Sequence, residues 1–189
     1  TDQRPGGFIN QVVPAGTQTI GVTVNVESGS ISTIPTAIVP GSVEIFIGGT
    51  AYRDKGGVFV ESSGEPGALE GATINYAGGL ISWAGTASGV QTFNYQPGTL
   101  RQQLPNTGRI DIDETNRNFN YVLSLDPKPA ALTLNVSYQY LGKWYELQDN
   151  GTGGLVGDGA GQINYETGSV VVTLKAQPDA GSVIFYRWI

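Results

Sequence analysis

A chain of 189 residues carrying 28 glycines, a formal charge of −6 and only 14% charged residues is sized for one large or two small domains, and it lacks the clustered Lys and Arg that grip a nucleic-acid backbone. Cys, His and Met are absent, which removes thiolate chemistry, a disulfide framework, and the commonest general base and metal ligand. No apolar run approaches about 18 residues and no basic-then-apolar leader is present, so neither a membrane span nor a signal peptide is expected. A chain that starts at Thr1 is expected to be a processed product or a portion of something longer.

Taken in order, residues 1–7 carry no pattern and are expected to form an arm. Ile20, Val22, Val24 and Val26 then alternate with polar residues, the period of a half-buried strand. Ser28-Gly29-Ser30 turns the chain into a short extended run that ends near Pro35. Pro40-Gly41 precedes a strand whose inward face is Val43, Ile45 and Ile47, and Gly48-Gly49 ends it. Ala51–Arg53 is a short strand, Asp54-Lys55-Gly56-Gly57 a turn, and Val58–Val60 resumes the sheet. Thr73–Tyr76 and Leu80–Trp83 form a hairpin around Ala77-Gly78-Gly79. Val90–Tyr95 closes the set, with Phe93 and Tyr95 on its buried side. Residues 97–109, bounded by Pro97-Gly98 and Pro105-Asn106, read as a linker in which Leu100–Leu104 is at most one helical turn. Ile110 and Ile112 restart the alternation, a turn follows at 116–118, and Phe119–Leu125 is extended.

The later part of the chain restates the earlier one. Ile74-Asn75-Tyr76 matches Ile163-Asn164-Tyr165 at an offset of 89 residues. At the same offset Pro40, Val43, Ile45 and Ile47 fall on Pro129, Leu132, Leu134 and Val136. Phe93 and Tyr95 correspond to Phe185 and Arg187, or to Tyr186 and Trp188 after a one-place slip. Faces of period two preserved at a fixed spacing indicate a duplicated β module. The predicted fold is therefore all-β: two tandem immunoglobulin-like or fibronectin-like β-sandwich modules, at 8–96 and 110–189. Trp83, and Trp144 or Trp188, are expected to join the Val, Ile and Leu faces in the cores.

Few residues suggest chemistry. Asp149, Asn150 and Asp158 lie in the glycine-dense stretch 149–161, expected to be a loop, where two carboxylates and backbone carbonyls could in principle surround calcium. The stretch lacks alternating acidic ligands, and the corresponding first-copy loop carries Glu61, Glu65 and Glu70, so the expectation is a turn whose Asp and Asn side chains bond their own backbone. Asp111, Asp113 and Glu114 read as a solvated strand face. Tyr138, Tyr140, Trp144 and Tyr145 form an aromatic cluster that could pack in the core, stack on sugars or contact protein. With Asp149 and Asp158 they make up the candidate interaction surface. The glycine runs lack the Gly-Lys-Ser/Thr of a phosphate loop. Asn135-Val136-Ser137 and Asn150-Gly151-Thr152 fit the glycosylation acceptor pattern, which has meaning only on a eukaryotic secretory route. No catalytic residue, cofactor or metal is predicted.

The run Asp149-Asn150-Gly151-Thr152-Gly153, Leu155–Gly161, Ile163-Asn164-Tyr165-Glu166-Thr167-Gly168, Pro178-Asp179-Ala180-Gly181 and a final aromatic strand resembles a module of structural proteins of tailed bacteriophages. The resemblance covers 129–189 well and 38–96 more loosely, because the first copy has its Glu-rich loop and Ala-Gly-Gly in place of Glu-Thr-Gly. It implies a non-enzymatic virion protein of the tail, baseplate, neck or capsid, assembled in the host cytoplasm with copies of itself or other virion proteins. The alternative is a carbohydrate-binding or host-surface adhesion module that recognises a cell-surface glycan.

Overall fold

A computed structural model describes residues 7–189; of the arm expected over 1–7, residues 1–6 lie outside the described residues. The fold is all-β, with every recorded strand pair antiparallel. One turn of 3-10 helix, Gly67–Leu69, is the only helical element among the described residues. The described chain divides into two compact units, Val12–Arg101, and Gln102–Ile189 together with residues 7–11. They are called here the first and second modules.

The strands of the first module begin with β1 (Ile9–Pro14), which crosses the unit boundary, and β2 (Ile20–Val26), β3 (Ile31–Thr33), β4 (Ala37–Ile38) and β5 (Glu44–Ile47). They continue with β6 (Thr50–Asp54), β7 (Phe59–Val60), β8 (Thr73–Asn75), β9 (Leu80–Ser82), β10 (Gly89–Tyr95) and β11 (Pro97–Gln103), which also crosses the unit boundary. The order β2-β10-β5-β6-β7 makes one sheet and β3-β9-β8 another. A single bridge, Val58 to Thr73, connects the run leading into β7 with β8. Trp83, just past β9, is buried and stacks on Phe59 of β7 at 5.7 Å, and Phe93 of β10 lies 6.0 Å away, so residues of both sheets share one core. β11 lies between β1 and β4 in a further three-stranded sheet.

The second module contains β12 (Asn106–Asp111), β13 (Asn120–Ser124), β14 (Asn135–Tyr140), β15 (Lys143–Asp149), β16 (Gly154–Gly157), β17 (Gly159–Asn164), β18 (Ser169–Leu174) and β19 (Val183–Trp188). All eight belong to one sheet, in the order β12-β19-β14-β15-β16-β17-β18-β13. Its two edge strands are consecutive in sequence, and that forces curvature. Ile112 still bonds Ser182, and Phe119 still accepts from Leu174, so only residues 113–118 are free to join the two ladders. Seven Cα steps reach roughly 25 Å, whereas eight flat strands would be about 34 Å across. The sheet curls into a half-barrel. Its inner face gathers Leu123, Leu134, Val136, Tyr138, Leu147, Leu155, Val170, Val172, Ile184 and Trp188 into one core.

The two strand orders are the same order. Substituting β2, β10, β5, β6, β7, β8, β9 and β3 for β12, β19, β14, β15, β16, β17, β18 and β13 reproduces every neighbour, with the Val58–Thr73 bridge where the second module has the β16–β17 ladder. Single hydrogen bonds repeat as well. Asp54 N donates to Val43 O and Asp149 N to Leu134 O, while Ile74 N donates to Gly57 O and Ile163 N to Gly153 O. Ile34 N donates to Gly79 O and Leu125 N to Gly168 O. Ser42 Oγ donates to Val39 O and receives Gln96 N, as Thr133 Oγ1 donates to Ala130 O and receives Ile189 N.

These bonds set the register. The offset of 89 holds for Ile74 and Ile163, both buried, and for Gly79 and Gly168. For β5 it is 91: Val43, Ile45 and Ile47 correspond to Leu134, Val136 and Tyr138, not to Leu132, Leu134 and Val136. Leu132 stands where Gly41 does, and both have a left-handed backbone, φ 67° and 76°. For the final strand the slipped pairing holds, because Phe93 lies opposite Ile45 and Tyr186 opposite Val136.

Two expected loops are strands. Residues 97–109, read as a linker, form β11 and the first half of β12, and Leu100–Leu104 is extended, not helical, up to Gln103. Most of the glycine-dense stretch 149–161 is β16 and the start of β17. Glycine is needed there because a Cβ on Gly159 or Gly161 would run into the carbonyl of Thr173 or Val171 and into Leu147 or Leu155. The missing side chains leave room for those two core leucines.

Candidate functional site

The buried carboxylates of the two modules occupy one position and do one job. Asp54 closes β6 and is 7% exposed; Asp149 closes β15 and is 6% exposed. Asp54 Oδ1 accepts from the Tyr76 hydroxyl at 2.6 Å and from Gly57 N at 3.1 Å, and Oδ2 accepts from Gly41 N at 2.6 Å. Asp149 Oδ1 accepts from the Tyr165 hydroxyl at 2.5 Å and Gly151 N at 2.7 Å, and Oδ2 from Thr133 N at 3.3 Å. Burial pushes both carboxyls above their usual range, against the pull of these donors. The Tyr165 phenol is pushed strongly upward, by burial first and then by its bond to Asp149. Each aspartate ties the end of one hairpin to the tyrosine that ends the Ile-Asn-Tyr strand. Asp149 is therefore an interior residue whose oxygens are taken up by the chain.

The other acidic candidates serve turns. Asp158 is half-buried between β16 and β17; its Oδ2 accepts from Glu146 N and its carbonyl from the Tyr138 hydroxyl. Asn150 Oδ1 accepts from Thr152 N and Gly154 N. Asp113 Oδ1 accepts from Thr115 Oγ1, Thr115 N and Asn116 N, which hold its carboxyl below the usual range. Asp111 pairs with Arg109 at 3.4 Å, and Glu114 with Arg117 at 3.9 Å, both on the surface. Among the described residues no group of three His, Cys, Asp or Glu side chains is placed to hold a metal ion.

The aromatic cluster divides. Tyr138 lies opposite Tyr145 and Gln139 opposite Trp144, so alternation puts Tyr138, Tyr140 and Tyr145 on one face of the β14–β15 hairpin and Trp144 on the other. Tyr138 is fully buried and stacks on Tyr145 at 5.6 Å; Tyr140 is tilted 56° to Tyr145 at 6.1 Å. With Lys175 and Ala176, just past β18, the three tyrosines line a surface depression of about 360 Å³. Comparison with protein-family models, with curated proteins and with solved structures gave no match.

Internal comparison supplies what outside comparison does not. Val43 and Leu134 are 91 residues apart, whereas Asp54 and Asp149 are 95 apart. The second copy therefore carries four extra residues in this hairpin, two on each strand. The first copy turns at Gly48-Gly49 straight after the Ile47–Thr50 pair; the second continues past the equivalent Tyr138–Tyr145 pair to Tyr140 and Lys143. Asp179 grips the added turn, accepting from Leu141 N at 2.9 Å and Gly142 N at 2.8 Å. Sequence reading named the tyrosines, gave Asp179 only within the string that carries the resemblance, and missed Lys175 and Ala176. The four-residue difference would have marked the hairpin, had the two buried aspartates been used to align the copies.

Proposed function

We propose that this chain is a non-enzymatic structural protein of a virion, joined to copies of itself or to neighbouring tail or capsid proteins through the surfaces of two tandem immunoglobulin-like or fibronectin-like β-sandwich modules. In the second module the sandwich is one sheet folded over, β12-β19-β14-β15 facing β16-β17-β18-β13; in the first, a single backbone bridge among the described residues, Val58–Thr73, links the two sheets. The buried carboxylates of the two modules, Asp54 and Asp149, are spent on holding the fold.

The observation that carries the proposal is at the sheet edges. β13 and β3 are equivalent edge strands, and each presents an apolar residue to solvent, Val122 at 72% and Ile31 at 64% exposure. Val122 lies directly across from Val171, itself 47% exposed. β13, Asn120–Ser124, has neither charge nor proline to discourage another strand from pairing. The other edge of the second module, β12, is guarded by Arg109 and Asp111. An apolar, unguarded edge in the same place in both copies suits addition of a neighbour's strand.

Sedimentation of the full chain over a range of concentrations tests the assembly, and peptide mass spectrometry of purified phage particles tests the location. Association that Val122→Lys abolishes, together with peptides of this chain in the particles, is the expected result. A monomer at every concentration, or particles without the chain, would overturn the reading.

A further inference from the structure

We infer that the tyrosine-lined depression of the second module is a binding site for an acidic saccharide, with Tyr140 and Tyr145 stacking on the sugar ring and Lys175 pairing with its carboxylate. What both copies share, the strand order, the Asp–Tyr bond and the Ser/Thr turn, is architecture. The depression lies in what they do not share, since the first copy has Ile47 and Thr50 where the second has Tyr138 and Tyr145 and has no counterpart of Tyr140 at all.

The site is held rigid from below and from its end. The Tyr138 hydroxyl is fixed by Asp158 O at 2.9 Å, the Tyr138 ring supports Tyr145, and the Asp179 fork immobilises the turn beyond Tyr140. About 360 Å³ lies within the range of small-ligand sites. Two ring walls at 56° offer π-faces and phenol hydroxyls side by side. A pyranose, with its alternating C–H faces and hydroxyls, is complementary to such walls. Lys175 is exposed and forms no ion pair among the described residues, so its ammonium is available to a ligand carboxylate.

The test is a titration of the full chain with a sialylated trisaccharide and with trigalacturonate, each against a neutral sugar of the same length, read by tyrosine side-chain NMR shifts. Saturable shifts at Tyr140 and Tyr145 are expected with at least one acidic sugar, at least about tenfold tighter than with its neutral counterpart. Lys175→Gln should erase that preference. Tyr140→Ala should weaken binding at least about tenfold, whereas Tyr140→Phe, which keeps the ring and the packing, should stay within about threefold. Failure of both acidic sugars to bind, equal binding of acidic and neutral sugars, or capture instead of an acidic proline-rich peptide would each overturn the inference. It goes beyond the assembly role and stands or falls separately, since Val122→Lys should leave these titrations unchanged.

Discussion

The first and second modules place eight strands in one order and differ in how continuously they are joined. In the second, every neighbour is paired and the sheet is unbroken; in the first, the β7–β8 step is reduced to one bridge. The difference follows from chain length. From Asp54 to Ile74 the first module takes six more residues than the second takes from Asp149 to Ile163. Those residues include the 3-10 turn that puts Leu69 into the core. The extra loop prises the sheet apart but returns a fully buried leucine and the hydrogen bond that Ala68 N donates to the Tyr52 hydroxyl. The second copy instead lengthens the β14–β15 hairpin, and its outlay lies on the surface. Both copies keep the buried aspartate, which marks it as the feature that neither variation could dispense with.

The largest effect is accordingly expected there. Asp54→Ala and Asp149→Ala each remove the acceptor that a tyrosine hydroxyl and two backbone N–H groups share, at a cost of about 3–5 kcal/mol. Urea unfolding followed by tryptophan fluorescence should show losses of similar size, with the Asp54 change acting on the transition reported by Trp83. A loss confined to one variant would break the equivalence of the two positions. Next in size are Gly79→Ala and Gly168→Ala. Both glycines have positive φ, 62° and 75°, and a Cβ would strike the carbonyl of Ile34 and Leu125 respectively. About 2–3 kcal/mol should be lost in each case by the same measurement.

Acidity gives a smaller effect, of a sign opposite to the usual carboxylate. Because burial raises the folded-state pKa of Asp54 and Asp149 above the ordinary 3.8, the native state holds more protons than the unfolded chain between those values. The stability these groups contribute is full below the unfolded pKa and is lost as pH rises through the folded one. Asp149→Asn, which cannot titrate, should flatten that part of the melting-temperature profile in the second module, and Asp54→Asn in the first. A profile that keeps its shape in both variants would place the titration elsewhere.

Sequence alone revealed the strands that alternate cleanly, such as β10, where Phe93 and Tyr95 are buried and Val90 is exposed. It also revealed the Ile-Asn-Tyr hairpins, because asparagine and glycine mark their turns. It misaligned β5 with its second-copy counterpart β14 by two residues for a physical reason: a shift of two leaves every side chain on its own face, so hydrophobic pattern cannot detect it. Only the polar contacts of Ser42, Thr133, Asp54 and Asp149 distinguish the two registers. β11 was hidden because Thr99–Gln102 is exposed throughout and has no apolar face to read. β16 and β17 were hidden because glycine is depleted in strands and signals turns. The depression escaped notice because Lys175 lies about thirty residues from Tyr145 and is brought beside it by the meander β15-β16-β17-β18, which leaves no periodic trace.

The smallest expected change is a gain, and it isolates the hairpin that separates the modules. Both copies of the turn have two positive-φ residues, Gly48-Gly49 at 57° and 86° and Leu141-Gly142 at 50° and 71°, the arrangement that favours glycine or asparagine at each central position. Leucine at the first of these is strained, and with 74% of its surface exposed it recovers little by burial. The Asp179 fork holds the turn despite the strain, since its two bonds go to backbone N–H groups and are indifferent to the side chain. Leu141→Asn should therefore relieve strain without losing the fork, raising stability by about 0.5–1 kcal/mol. Asp179→Ala in the same background should reverse the gain by freeing both N–H groups. Were Leu141→Asn neutral or destabilising in thermal melts, the exposed leucine would have to be held by contacts within the chain, and the added hairpin would be part of the core's support instead of an elaboration upon it.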